Sequence, residues 1–334
     1  MTEAEIEQLI SNGEFPEQTE NRKLVQTHAS WVILCDKFVY KIKKPIQYSF
    51  LNFSTQKLRK HFCIREVELN RRLTPNVYIG VVAITQQTGS VNVGGEGEVI
   101  DHAVKMHKLP SEKQMDILLT KNKVSENDIE NLAEKIASFH KETSIIKNKN
   151  LEDIREEYND LQSQKDFINL HSDPKYAKII DRAITTSNSF LTHHKQLLTK
   201  RLHNGFYKNC HGDLHTRNIF LLPEPVPFDC IEFNDDFRQI DVLNEIAFLC
   251  MDLDALNRKD LSELFLENYN KLFPTITTAE EGKLFIYYKS YRANIRAKVS
   301  SLRAQSATSK KEKSTALSSA EKYLDLVESY LVDL

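Results

Sequence analysis

Glycine is scarce in this chain. Only nine of the 334 residues are glycine, whereas an average protein contains about 7%. No GxxxxGK[ST] motif occurs, which excludes a Walker-type nucleotide-binding loop. The small cluster Gly94-Gly95-Glu96-Gly97 matches no nucleotide-binding fingerprint and is interpreted as a hairpin turn.

Long hydrophobic runs and paired cysteines are also missing. The longest apolar runs, Trp31–Cys35 and Ile246–Met251, are much shorter than the ~20 residues of a membrane-spanning helix. The first residues form an acidic amphipathic segment without the features of a signal peptide, which predicts a cytoplasmic protein with no membrane partner. The five cysteines contain no CxxC pair, a pattern that favours reduced core thiols over disulfides or a zinc site.

Neither sign of charge is in excess. The 45 Lys and Arg residues nearly balance the 47 Asp and Glu residues, and the net charge is −2. Such a chain has no overall attraction to nucleic acid, so no nucleic-acid partner is predicted and any anion site must be local. The sequence leaves the oligomeric state open.

Strand and helix patterns change near residue 110. Before it, strand-like segments predominate, including a tight hairpin of 31–35 with 38–43, and one amphipathic helix begins after Ser54 or Thr55. After Pro110 the pattern is that of long amphipathic helices. The sequence therefore predicts an α+β fold with a lobe at 1–110, preceded by a short helix, and a mainly helical lobe at 111–334.

One strand-like island, 207–233, interrupts the predicted helices, which include 151–170 and 174–203. It contains Cys210-His211-Gly212-Asp213-Leu214-His215-Thr216-Arg217-Asn218. Asp213 and Asn218 are five residues apart, a spacing at which one loop can present a carboxylate to a substrate hydroxyl and an amide oxygen to a magnesium ion. A strand predicted at 227–233 adds further carboxylates.

The loop resembles the catalytic loop HGDxHxxN of the aminoglycoside phosphotransferase-like family, in the protein-kinase-like superfamily. This resemblance implies a bilobal protein-kinase-like fold, with a small antiparallel β lobe that binds nucleotide and a helical lobe that carries the catalytic loop and the acceptor site. It also implies that Asp213 is the catalytic base and that Asn218 is a magnesium ligand. The family's second magnesium ligand aligns with Glu232, and Asp229 is the nearby alternative.

The resemblance further implies a nucleotide clamp. Lys41 resembles the strand lysine that contacts ATP phosphates, and Glu66 resembles the helix glutamate that pairs with it. Glu66 lies on an apolar helix face, where a carboxylate is costly unless it has a partner. Lys43, on the same side of the strand, is an alternative partner. A further alternative is a solvated lysine edge, with Glu66 paired to a nearby arginine.

Other positions follow from the same alignment. Ser30, in a glycine-free turn before the lysine strand, is a candidate phosphate contact, and backbone groups near Met106 and His107 are candidates for binding adenine. Glu245 resembles an acid that supports the loop, and His140 is interpreted as a core histidine. One helical face is a candidate acceptor-binding stripe or, equally, a solvated basic stripe: Lys289, Arg292 and Arg296.

The sequence thus predicts a kinase that uses ATP or GTP with Mg²⁺ and transfers the γ-phosphate to a hydroxyl of a small-molecule acceptor. Three alternatives stay open. The chain could be a pseudokinase-like module that binds nucleotide for regulation, a kinase of a protein acceptor, or a metallohydrolase that uses His211, Asp213 and His215.

Overall fold

The computed structural model describes residues 1–48 and 50–334. The chain forms two compact units. The first, called the sheet unit, comprises Met1–Leu118, Arg217–Leu222 and Val226–Phe237. The second, called the helical unit, comprises Leu119–Thr216, Pro223–Pro225 and Arg238–Leu334. A functional boundary at residue 110 stays a prediction.

The sheet unit is built on six antiparallel strands in the order β1-β2-β3-β8-β6-β7. Its elements are α1 (Glu3–Asn12), β1 (Lys23–Gln26), β2 (Ser30–Leu34), β3 (Phe38–Lys43), β4 (Gln47–Tyr48), β5 (Leu51–Asn52), α2 (Gln56–Arg71), β6 (Tyr78–Gln87), β7 (Ser90–Val93), β8 (Glu98–His107), and a short pair of β10 (Ile219–Phe220) with β11 (Val226–Pro227).

The predicted hairpin is confirmed as β2 and β3, which pair around Asp36 and Lys37. The predicted helix is also confirmed, because the Thr55 side chain accepts a hydrogen bond from the Leu58 N–H and caps the start of α2. The hairpin turn predicted at the glycine cluster is wrong. Gly94, Gly95 and Gly97 have positive φ, but the strands that they connect, β7 and β8, lie on opposite sides of β6 and do not pair with each other.

The prediction of a strand at 227–233 is wrong. Only Val226–Pro227 pairs as a strand, and the chain beyond it is irregular. Asp229 has a φ of 64°, a left-handed conformation that interrupts strand pairing. Its backbone N–H and that of Cys230 donate to side chains of β6 and α2 instead of to a neighbouring strand.

The helical unit contains most of the remaining elements. In chain order these are α3 (Met115–Thr120, which spans the boundary between the units), α4 (Glu126–Glu142), α5 (Asp153–Asn159), α6 (Lys165–His171), α7 (Lys175–His193), α8 (Lys195–His203), β9 (Tyr207–Asn209), β12 (Gln239–Asp241), α9 (Val242–Ala255), α10 (Lys259–Leu272), α11 (Ala279–Ser306) and α12 (Lys310–Leu331).

Two long predicted helices are each divided. The segment 151–170 becomes α5 and α6 with a 3-10 turn between them, and 174–203 becomes α7 and α8, which meet at His194. His194 has non-helical dihedral angles. Its ring stacks on Phe190 and bonds to the Phe190 carbonyl, so the break has local side-chain support.

Helix α9 lies at the centre of the helical unit. Every residue from Val242 to Leu253 is buried, which requires packing on all sides. Asp241 caps its first turn by accepting the Leu243 N–H. None of the helices in the described residues combines the length and apolarity needed to cross a membrane.

Candidate functional site

Two lysines of the sheet unit share one buried carboxylate. Lys41 Nζ lies 2.8 Å from Glu66 Oε1, and Lys43 Nζ lies 2.7 Å from Glu66 Oε2. The lysines are two residues apart on β3 and therefore project from the same face. The sequence left a choice between them; the structure pairs both with Glu66, in place of the arginine alternative.

Each lysine also contacts a second carboxylate. Lys41 Nζ lies 2.5 Å from Asp229 Oδ1, and Lys43 pairs with Glu232. The five side chains form a continuous series, Asp229–Lys41–Glu66–Lys43–Glu232, which we call the lysine–carboxylate chain. Three carboxylates against two ammonium groups give one excess negative charge when all are ionised. The Asp229 side chain is 41% exposed, whereas that of Glu232 is 6% exposed.

Burial and charge compete within this chain. Burial raises the pKa of Glu66, but the charges of Lys41 and Lys43 outweigh it and hold that pKa at about 2. Burial opposes the charge of Lys41, yet Asp229 and Glu66 raise its pKa above the usual range. For Glu232 burial prevails over Lys43, and the pKa is raised. Glu66 and the lysines therefore stay ionised at neutral pH.

Two residues that the sequence analysis missed anchor the segment around Asp229. The Asp229 N–H donates to Tyr78 Oη at 3.1 Å, and the Cys230 N–H donates to Asn70 Oδ1 at 2.9 Å. Asn70 Nδ2 donates to the carbonyl of Glu66. Asn70 lies one helical turn after Glu66, on the same face of α2, and a buried amide there needs a hydrogen-bond partner. This position could have indicated Asn70 from the sequence, whereas nothing in the sequence distinguishes Tyr78.

Asn218 lies in the same unit as Asp229. It ends the 3-10 turn Thr216–Asn218, and its carbonyl accepts the Phe228 N–H at 2.9 Å. The β10–β11 pairing thus holds the segment that contains Asn218 beside the segment that leads to Asp229. An amide oxygen and a half-exposed carboxylate are the hard oxygen donors that suit Mg²⁺.

An apolar cluster lies on the part of the sheet next to Lys41. Val39, Val104 and Met106 are buried there, and the half-buried Val32 and Phe228 pack against them. Val104 is fully buried, so of these five residues Val32 and Phe228 are open to contact with a planar base.

Several backbone N–H groups near the predicted adenine and phosphate contacts already donate hydrogen bonds within the protein. At the end of β8, the His107 N–H donates to the Val77 carbonyl, and the next N–H in the chain, that of Lys108, donates to the Lys37 carbonyl. Ser30 is buried, and its N–H donates to Thr27 Oγ1.

In the helical unit, Glu245 of α9 supports the loop before Asp213. Its carboxylate accepts the His211 N–H at 2.9 Å and the Gly212 N–H at 2.5 Å. His140 Nε2 lies 2.8 Å from the same carboxylate, and its Nδ1 lies 2.7 Å from Tyr269 Oη. Burial raises the pKa of Glu245, but the contacts with His140 and with the His211 N–H bring it to about 2.

Asp213 follows this supported turn. Its N–H donates to His211 Nδ1 at 3.2 Å, and its carboxylate lies 3.4 Å from His215 Nε2. Burial raises its pKa, but His215 and Arg296 lower it well below the usual range. Asp213 is thus an ionised carboxylate, 37% exposed, at the end of a fixed loop.

The predicted basic stripe on α11 is mostly engaged inside the helical unit. Lys289 pairs with Asp254 at 2.6 Å. Arg292 Nε donates to Asn244 Oδ1 at 2.7 Å, and its Nη1 donates to the Gly212 carbonyl at 3.3 Å. Arg292 therefore supports the loop, a role that the sequence analysis missed. Arg296 Nη2 reaches Tyr323 Oη at 3.4 Å.

The metallohydrolase alternative gains no support. Within the described ranges, the His, Cys and carboxylate ligand atoms that converge are those of His140, Cys210 and Glu245. The predicted trio was a different set of residues. His140 and Glu245 are hydrogen-bonded to each other, so this cluster is explained as part of the loop support.

Comparison with known proteins gives relatives without an assigned activity. No protein-family model matches this chain. It is 30% identical over 284 residues, 83% of its length, to uncharacterized proteins of Mycobacterium tuberculosis and Mycobacterium bovis. It spans about half the length of these relatives, 54%.

Solved structures match most of the chain. A choline/ethanolamine kinase family protein from Mesorhizobium loti has a TM-score of 0.58 at 12% identity, over 99% of this chain and 97% of that one. Choline kinase from Cryptosporidium parvum has a TM-score of 0.57 at 12% identity, over 100% and 95%. A mutant of aminoglycoside 2′-phosphotransferase-IIIa in complex with GDP has a TM-score of 0.58 at 13% identity, over 92% of each chain.

This chain has a protein-kinase-like fold. The predicted α+β class, with an antiparallel sheet in the amino-terminal part and a larger helical part, is confirmed. The resemblance to aminoglycoside phosphotransferases is likewise confirmed at the level of the fold.

Proposed function

We propose that this chain is a phosphotransferase that moves the γ-phosphoryl group of ATP or GTP to a hydroxyl of a small-molecule acceptor. The observation that carries the proposal is the position of Lys41, whose ammonium group contacts both Glu66 and Asp229. The fold is shared with structures named as choline kinase and aminoglycoside phosphotransferase, which supports a small-molecule acceptor.

Lys41 would contact the nucleotide phosphates. Glu66 fixes the ammonium group from the side of α2, and the raised pKa of Lys41 keeps it charged. The half-buried Val32 and Phe228, which pack against the buried Val39, Val104 and Met106, would receive the base. Because two neighbouring N–H groups, of His107 and Lys108, already have acceptors, apolar contact would contribute much of the base binding.

Asn218 and Asp229 would hold Mg²⁺. When bound, Mg²⁺ neutralises negative charge on the phosphates. Asp229 suits this role better than Glu232, because its carboxylate is half-exposed whereas that of Glu232 is buried against Lys43. The excess negative charge of the lysine–carboxylate chain also favours a cation there.

Asp213 would orient the acceptor hydroxyl and take its proton. Its lowered pKa makes it a weak base, which suits a reaction in which positioning and charge stabilisation contribute more than early proton removal. Arg296 lowers the pKa of Asp213 and is the member of the basic stripe that we retain as a candidate acceptor contact.

The test is a transfer assay with ATP or GTP, Mg²⁺ and a panel that includes choline, ethanolamine, aminoglycosides and sugars. We expect Mg²⁺-dependent formation of a phosphorylated acceptor. Asp213→Asn should lower kcat by ~10²-fold or more and leave nucleotide affinity within about twofold. Nucleotide binding without turnover on any acceptor would favour a regulatory module, and absence of Mg²⁺-dependent nucleotide binding would refute the proposal.

A further inference from the structure

Lys43 and Glu232 form a buried ion pair that the proposed reaction does not use. The side chains are 1% and 6% exposed. Lys43 also bonds to Glu66, and its ammonium group lies 4.8 Å from the centre of the Phe53 ring. Burial of two charges offsets much of their attraction, so such a pair is weak evidence for stability alone.

The pair connects two parts of the candidate site. Lys43 reaches the Glu66 oxygen that Lys41 does not contact. Glu232 follows Asp229 by three residues on the irregular segment, whose backbone is otherwise held at Tyr78 and Asn70. The Lys43–Glu232 pair thus adds a charged anchor between that segment and β3.

We infer that Lys43 and Glu232 are positioning residues, and that Glu232 binds Lys43 and not the metal ion. The inference rests on the proposed function and assigns different roles to two carboxylates that the sequence could not separate. The half-exposed Asp229 pairs with Lys41, whereas the buried Glu232 pairs with Lys43, and Glu66 binds one lysine with each oxygen.

Charge balance supports this division. Lys43 with Glu232 is a neutral pair. The remaining group, Lys41 with Glu66 and Asp229, carries one excess negative charge beside the exposed carboxylate of Asp229. Loss of Glu232 would leave Lys43 with Glu66, which it shares with Lys41, as its carboxylate partner, and loss of Lys43 would leave Lys41 as the single lysine partner of Glu66.

The first measurement is a double-mutant cycle in urea with Lys43→Met, Glu232→Gln and the double variant. Lys43→Met removes the counter-charge of the buried Glu232, whereas Glu232→Gln leaves the buried Lys43 paired with Glu66 alone. We expect the effects on the unfolding equilibrium constant to be non-additive by at least ~10-fold. Additive effects would overturn the pairing, and this readout requires no ligand.

The second experiment measures two quantities in each variant. One is the Mg²⁺ concentration at which ADP binding is half-maximal, and the other is kcat for phosphoryl transfer or ATP hydrolysis. For Glu232→Gln we expect a half-maximal Mg²⁺ concentration within about twofold of the wild type and a kcat lowered by ~10-fold. For Asp229→Asn the Mg²⁺ requirement should rise by ~10-fold or more. Lys105→Met, which removes an unrelated ion pair with Glu17 from the same sheet, is the matched control.

The outcomes separate the two hypotheses. A Glu232→Gln protein that requires as much Mg²⁺ as Asp229→Asn would make Glu232 a ligand and overturn the inference. An unchanged kcat in Glu232→Gln would overturn the positioning role. A wild-type protein that binds no Mg²⁺–nucleotide would refute the proposed function, while the cycle in urea would still decide whether Lys43 and Glu232 act as a pair.

Discussion

The carboxylate of Glu245 accepts the backbone N–H of Gly212 at 2.5 Å. Gly212 has a φ of 90°, a conformation that favours glycine. The turn before Asp213 is therefore specified twice, by a residue that tolerates the backbone conformation and by a buried acceptor from α9. The conformation of the loop therefore depends on a helix in the core of the helical unit.

Glu245→Gln should destabilise the protein. Both oxygens of Glu245 accept N–H groups, so an amide places a donor against a donor. The pKa of about 2 lies below the usual 4.5, so the ionised carboxylate stabilises the folded state at neutral pH, by roughly 3 kcal/mol.

That contribution is lost as the pH falls from about 4.5 towards 2. The difference in unfolding free energy between wild type and Glu245→Gln, measured in urea, should therefore be largest near neutral pH and shrink in acid. A difference that does not change with pH would contradict the pKa assignment.

Lys41→Met should abolish most phosphoryl transfer. The change removes the ammonium group that contacts both Glu66 and Asp229, and a lost charge contact to the phosphates typically lowers kcat by ~10²-fold or more. Lys44→Met is a matched control on the residue after β3, because the Lys44 side chain contacts Gln26 and the Trp31 ring and neither Glu66 nor Asp229. Retention of full activity in Lys41→Met would transfer the role to Lys43.

Between about pH 5 and 8, protonation of Asp213 should cause no fall in kcat on the acid side. The pKa of Asp213 is lowered well below its usual value, so its ionised fraction does not change over this range. The measurement is kcat against pH at saturating nucleotide and Mg²⁺. A loss of activity on the acid side that disappears in Asp213→Asn would show that Asp213 titrates there and would disprove the expectation.

Arg292→Met should lower kcat without a matching change in nucleotide affinity. Arg292 bonds to Asn244 and to the Gly212 carbonyl, so its loss should displace the loop before Asp213, with an expected cost of ~10-fold or more in kcat. Lys298→Met is the control on the same helix, since Lys298 pairs with Asp160 at the surface. Equal effects of the two changes would argue against a loop-supporting role.

The sequence predicted the features that depend on neighbouring residues. The motif from His211 to Asn218 is contiguous, and the hairpin of β2 with β3 follows from alternation and a two-residue turn. These signals are local and survive in a single sequence. Glu66 was also predictable, because a carboxylate on an apolar helix face requires a partner.

The features that the sequence did not predict depend on distant contacts. The segment 227–233 has a strand-like composition, but the left-handed Asp229 and its contact with Tyr78, 151 residues away in sequence, override local propensity. The basic residues of α11 resembled a solvated stripe, because their spacing contains no information about Gly212, which lies 80 residues before Arg292.

Because α9 is enclosed by protein along its whole central stretch, its amides should be among the slowest to exchange with deuterium in this unit. Glu245 and Asp252, which bind the loop at Gly212 and Thr216, both belong to that helix. The segment that carries Asp213 is therefore attached to a part of the protein that opens late, and fluctuations that fray the outer helices would leave its shape intact.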